Sequence, residues 1–175
     1  MTADSALVVP APDVEHAVAG HRLRHDPSAA AGIAAHVTIH FPWIPAKTVD
    51  ADELAMVREL AATTRPFEVT FSELRWFGER VLWLAPTPAE PFRDLSDRSA
   101  AVWPEALRYD GEFDDVVPHL TIGDVSRGGD VAALRAVEDE LAPLLPLRAR
   151  APEIWWYVRD PSGRWTRRAA FTLSG

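Results

Sequence analysis

The sequence predicts an α+β protein organised as a duplication with weak internal symmetry. Three observations carry this. A motif of histidine, apolar residue, threonine and isoleucine occurs twice, as His36-Val37-Thr38-Ile39 and as His119-Leu120-Thr121-Ile122. Segments that alternate polar and apolar residues, the mark of half-buried strands, are interleaved with segments of helical spacing. The order strand, helix, motif strand, helix, strands is followed by helix, motif strand, helix, strands.

Residues 5–9 form a short apolar strand that Pro10 closes. Pro12 opens a helix through Arg24, with Asp13 and Glu15 at its positive end. His25-Asp26-Pro27 is a turn signal, and Arg24 and Asp26 are candidates for a structural tie. Small residues at 28–34 make a loop before the first motif strand, 36–41, which Pro42 and Pro45 end. Asp50 caps a second helix to Ala62, with Leu54, Val57 and Leu60 inward. Phe67–Leu74 and Val81–Leu84 are neighbouring antiparallel strands, and Pro88–Val102 is a third helix. A loop from Pro104 to Pro118 carries Gly111 and the acids Glu112, Asp114 and Asp115, a solvated stretch with no partnering motif. The second motif strand is 119–123. Asp130 caps a fourth helix, 131–142, and two last strands are predicted at 147–158 and 165–173.

At 175 residues the chain holds one domain with a substantial core, or two small lobes sharing one. A formal charge of −8 weighs against a long polyanion as main partner, because phosphate-backbone binding needs a basic surface. A small nucleotide or an RNA terminus is compatible, since a cleft can be locally positive. The absence of cysteine excludes disulfides, zinc–thiolate sites and thiol catalysis. The start has no basic n-region and no apolar run nears the ~18 residues of a membrane span, so no membrane partner is expected and a cytoplasmic location fits best.

Residues two apart on a strand share a face. His36 and Thr38 therefore project together, as do His119 and Thr121, while Val37, Ile39, Leu120 and Ile122 turn into a core. This pairing resembles the 2H phosphoesterases, in the branch labelled 2′-5′ RNA ligase-like, whose signature is two such motifs about this far apart. Leu7-Val8-Val9-Pro10, Arg24-His25-Asp26-Pro27, Phe41-Pro42-Trp43, Trp83-Leu84-Ala85-Pro86, Val117-Pro118 and Trp155 follow that branch's order of landmarks. The resemblance implies a single bilobal domain over 1–175, a pseudo-symmetric duplication with antiparallel sheets lining a central cleft and helices outside. It also implies a 2′,3′-cyclic phosphate or 2′-5′ linked substrate.

Two imidazoles across a cleft suit general acid–base chemistry, because their unperturbed pKa lies near neutrality. Phosphodiester cleavage needs a proton taken from the attacking oxygen and one given to the leaving oxygen. His36 and His119 are the candidate base and acid, in an order the sequence leaves open. Thr38 and Thr121, each about 6–7 Å along its strand from its histidine, are the candidate phosphate-binding residues. No cofactor or metal is expected. His36 and His40 would lie about 13 Å apart on a strand, too far for convenient joint ligation. His40, where the family has an apolar residue, reads as a cleft-rim residue or simply an exposed one. Phe41, Trp43, Trp76, Phe77, Trp155 and Trp156 could stack on a base, although the core is the commoner place for each; of these Phe41, Trp43 and Trp155 are the candidate substrate-binding aromatics, with Trp43 the foremost for stacking. The competing functions are RNA end joining in the 2′-5′ sense on the same site, and a nucleotide-binding module without turnover. The oligomeric state is not legible.

Overall fold

The computed structural model describes residues 5–112 and 115–175, so Asp114 of the loop acids lies outside the described residues. Its elements are β1 (Ser5–Pro10), α1 (Pro12–His25), the single turn α2 (Pro27–Ala30), β2 (His36–His40), α3 (Ala51–Ala62), β3 (Phe67–Phe77), β4 (Val81–Thr87), α4 (Glu90–Val102), β5 (Leu120–Asp124), α5 (Val131–Leu141), β6 (Leu147–Ala151), β7 (Glu153–Arg159) and β8 (Trp165–Thr172). The expected caps are in place. Asp50 accepts from the N–H groups of Asp52 and Glu53 at 2.9 and 3.0 Å, and Asp130 accepts from Ala132 at 2.8 Å. Each such cap contributes about 1 kcal/mol to its helix.

Two four-stranded sheets result, in the orders β2-β1-β7-β8 and β5-β4-β3-β6, with every pairing antiparallel. The α+β duplication expected from the sequence is present, and the two motif strands hold matching places, each at one edge of its sheet. One prediction needs correction. The strand expected over 147–158 is two strands in different sheets, β6 beside β3 and β7 beside β1. Pro152 stands between them. It has no N–H to continue a ladder, and its carbonyl accepts instead from Leu173 at 2.9 Å.

The connecting helices cross over. α1 joins β1 to β2 yet packs on β5 of the other sheet, while α4 joins β4 to β5 yet packs on β2. Leu7, Val37 and Ile39 of the first sheet, Leu84, Leu120 and Ile122 of the second, and Val18, Leu95 and Leu134 of the helices meet in one continuous apolar core. Burying such a side chain fully contributes roughly 1.5–3 kcal/mol, so this cluster holds the two motif strands against common packing. No helix among the described residues is long and apolar enough to cross a membrane.

Both motif strands carry a β-bulge at the same place. Against β1, Val8 pairs with Thr38 and Leu7 with His40, leaving Ile39 unopposed. Against β4, Trp83 pairs with Thr121 and Leu82 with Gly123, leaving Ile122 unopposed. A bulge resets the alternation of faces. Everything before it keeps the expected face, and the residue after it does not.

Candidate active site

His36, Thr38, His119 and Thr121 are all half-buried, on edge strands that touch across the gap between the sheets. The two imidazoles are held alike. His36 Nδ1 is 2.7 Å from the Ala34 carbonyl oxygen, and His119 Nδ1 is 2.8 Å from that of Val117, two residues upstream in both cases. A carbonyl can only accept, so Nδ1 carries the hydrogen in both rings. That leaves Nε2 as the nitrogen able to take a proton from, or give one to, a ligand.

Burial lowers the pKa of both histidines. For His36 burial is followed by the positive charge of Arg22, and the value falls to about 4 against the pull of the Ala34 bond and of Asp26. The charge of His119 also acts on His36, which puts the two rings within electrostatic reach of each other. For His119 burial is opposed by the Val117 bond and again by Asp26. Both imidazoles are therefore neutral near pH 7, and a negative charge placed beside either ring would raise its pKa.

Beneath them lies a buried ion pair. Arg22 of α1 is 1% exposed and Asp26 4%, with Nη2 to Oδ2 at 2.7 Å. Arg22 Nε donates to the Thr121 carbonyl at 2.9 Å and Nη1 to that of Ile33 at 3.3 Å. Asp26 Oδ1 accepts from the Ser28 N–H and hydroxyl at 2.9 and 2.7 Å. The pair thus pins the second motif strand to the loop that precedes the first. Of the two residues flagged for a tie in this segment, Asp26 makes it. Arg24 is exposed.

His40 does not sit at the cleft rim. The bulge at Ile39 turns it to the α4 side, where it is 0% exposed and bonded to Ser99 Oγ and to the Ala106 carbonyl, both at 2.7 Å. Here Nε2 must donate, the opposite tautomer to that of the two motif histidines, and the Trp103 ring closes one side at 6.4 Å. The corresponding residue after the second bulge is Gly123, where a Cβ would meet Leu134 Cδ1 at 2.4 Å.

Trp43 also departs from expectation. Its backbone N–H donates to the Ser5 carbonyl, and its ring lies in the core against Trp103 and Trp156 at 5.1 and 6.0 Å, 4% exposed. Trp155 is half-buried and shares the face of Thr38, since Thr38, Val8 and Trp155 lie in one cross-strand row. Arg167 covers its ring at 4.3 Å. Phe41 is half-buried, its ring edge-on to Trp165 and Tyr109 at 6.1 and 6.4 Å.

Phe77, a stacking candidate from the sequence, is joined by residues that sequence reasoning missed. In the second sheet Thr121, Trp83 and Arg75 form the matching row, and Phe77 stacks on Trp83 at 4.6 Å while meeting the edge of His119 at 5.0 Å. Phe77 is 36% exposed, which leaves it a face for a planar ligand. The Tyr157 hydroxyl lies near the backbone of Ala34, the residue whose carbonyl orients His36. Glu15 holds the next N–H, that of Ala35, at 2.6 Å. Tyr109 comes beside Thr38 from the loop before the second motif. The spacing Arg22-x-x-x-Asp26 on a helix was a usable signal for the ion pair. Tyr109 and Tyr157 had none.

Fold and motifs together define a duplicated α+β protein with one histidine–threonine pair presented from each half. The chain belongs to the 2′-5′ RNA ligase superfamily, the 2H phosphoesterases, whose family model matches residues 10–163. Solved structures agree in fold over 98% of both chains: TT0787 of Thermus thermophilus with TM-score 0.67 at 18% identity, E. coli LigT complexed with 3′-AMP with TM-score 0.61 at 16%, and E. coli LigT complexed with NADP+ with TM-score 0.58 at 18%. No curated protein matches the sequence significantly.

Proposed function

We propose that this protein is a phosphoesterase that opens 2′,3′-cyclic phosphates, or cleaves 2′-5′ linkages, at nucleotides or RNA termini, and that the chain from 1 to 175 works as one bilobal unit. The observation that carries the reading is the matched tethering of His36 and His119 through Nδ1, each beside a threonine of its own strand. His36 also feels the repulsion of Arg22, which is not among the charges acting on His119, so the reading gives the base to His36 and the acid to His119. Thr38 and Thr121 donate to the non-bridging oxygens and offset the charge that builds in the transition state. His36 Nε2 takes a proton from water as its oxygen attacks phosphorus. His119 Nε2 gives a proton to the departing 3′ oxygen, and a 2′-phosphate results. The binding of 3′-AMP and NADP+ by LigT supports a nucleotide-sized ligand. The stacked Phe77–Trp83 pair and the half-buried Trp155 offer places for a base.

The test is incubation with 2′,3′-cyclic AMP, a 2′-5′ dinucleotide, and paired RNA halves bearing a cyclic phosphate and a 5′ hydroxyl. Hydrolysis to a 2′-phosphate is the expected result. Joined RNA with little hydrolysis would assign the reverse reaction to the same site. Saturable binding without product would make the protein a nucleotide-binding module.

A further inference from the structure

Among its described residues, the loop between α4 and β5 comes to the site through Tyr109. Tyr109 and Asp110 occupy the left-handed region, with φ of 51° and 54°, a conformation that side-chain-bearing residues rarely adopt. Such backbone persists only where its surroundings hold it, and here the hold is made by the end of the first motif strand. The Tyr109 N–H donates to the Phe41 carbonyl at 2.6 Å. His40 ties the Ala106 carbonyl, and Arg108 bonds Ser96 Oγ and Asp97 Oδ1 at 2.6 and 3.0 Å. The phenol, ring edge on Phe41, then comes to the Thr38 hydroxyl.

We propose that Tyr109 is a ligand-contacting residue, its hydroxyl and that of Thr38 gripping two oxygens of one phosphate. The proposal rests on the phosphate reading of Thr38 above. In this structure the phenol lies beside the Thr38 hydroxyl. An entering phosphate offers both hydroxyls charged oxygens, which are stronger acceptors than a neighbouring hydroxyl. The backbone bonds of residues 106 and 109 keep the phenol in place meanwhile, so the grip is preformed and costs little ordering when ligand arrives. Thr121 has no such companion from its own side among the described contacts, which makes the grip asymmetric and centres the phosphate toward the first motif.

Tyr109→Phe keeps the ring packing on Phe41 and removes only the hydroxyl. It is to be compared with the wild type, His36→Ala and His119→Ala by turnover of 2′,3′-cyclic AMP and by calorimetric binding of 2′-AMP. The expected result is a rise of about tenfold or more in KM and in the Kd of 2′-AMP, as for loss of one hydrogen bond to a charged group, with kcat changed less and an unchanged melting midpoint. Wild-type KM and Kd in Tyr109→Phe, with turnover abolished in the histidine variants, would overturn this proposal and leave the phosphoesterase reading standing. Tighter binding would overturn it by showing that the phenol competes with the ligand. A wild-type protein that neither turns over the cyclic nucleotide nor binds its product would remove both.

Discussion

Replacing Arg22 by methionine tests the tie between the two motifs most severely. The substitution keeps most of the stem's volume and leaves three buried acceptors behind: Asp26 Oδ2 and the carbonyls of Thr121 and Ile33. Breaking a buried ion pair from one side costs about 3–5 kcal/mol, because the remaining charge is stranded out of water. Each orphaned carbonyl adds on the order of 1 kcal/mol, less than additively. A total of about 5 kcal/mol is expected, which for a chain of this size lowers the melting midpoint by roughly 15 °C. Urea unfolding of the wild type, Arg22→Met, Asp26→Leu and the double variant is the assay. In the double variant no charge is stranded, so it is expected to be more stable than the sum of the singles by about 2 kcal/mol or more. A loss below about 1 kcal/mol in Arg22→Met, or strict additivity, would refute the argument that this pair is a desolvated, interdependent unit.

Gly123→Ala places a Cβ 2.4 Å from Leu134 Cδ1 and 2.9 Å from His25 Cβ, so a loss of about 1–3 kcal/mol is expected on thermal unfolding, and wild-type stability would show that α5 yields freely. His36 ties stability to acid. Its pKa falls from 6.5 unfolded to about 4 folded, so between those values the unfolded chain binds the proton and the native one does not. Stability should therefore drop as pH falls from 6.5 toward 4, and His36→Gln should lessen that drop by about 2 kcal/mol after allowance for the ring's partial exposure, measured as urea midpoints at about pH 7 and 4.5. The assignment of roles is checked with an aryl phosphodiester whose leaving group needs no proton. His119→Ala should retain far more of its activity on that ester than on 2′,3′-cyclic AMP, while His36→Ala stays defective on both, and the reverse pattern would exchange base and acid.

Local pattern carried what was legible in the sequence. The two His-x-Thr pairs could be read because a strand's period of two puts side chains on shared faces, and because the pattern repeats. The caps Asp50 and Asp130 were readable because their bonds lie within three residues. What failed were events in which a distant strand or helix overrules the local period. A bulge is defined by its partner strand, so nothing in His36–Phe41 alone says that Ile39 is unopposed and that His40 turns toward Ser99. The same bulge at Ile122 explains why a glycine suffices at 123, where α1 and α5 leave no room. The handover between sheets at Pro152 looked like one long strand because both halves alternate equally well. Trp43 was misplaced since a residue just past a strand inherits no face from it. Tyr109 reaches Thr38 only because the loop docks through backbone bonds to Phe41 and Ala106, and hydrogen bonds of that kind leave no mark in composition or spacing.

The central claim is that two imidazoles from separate sheets act on one phosphate as a unit. Its most direct test is the rate of 2′,3′-cyclic AMP hydrolysis by the wild type, His36→Ala, His119→Ala and the double variant. Groups that work on one transition state are strongly non-additive, so each single variant is expected to lose nearly as much activity as the double. Near wild-type turnover in either single variant, or losses that simply multiply in the double, would contradict it.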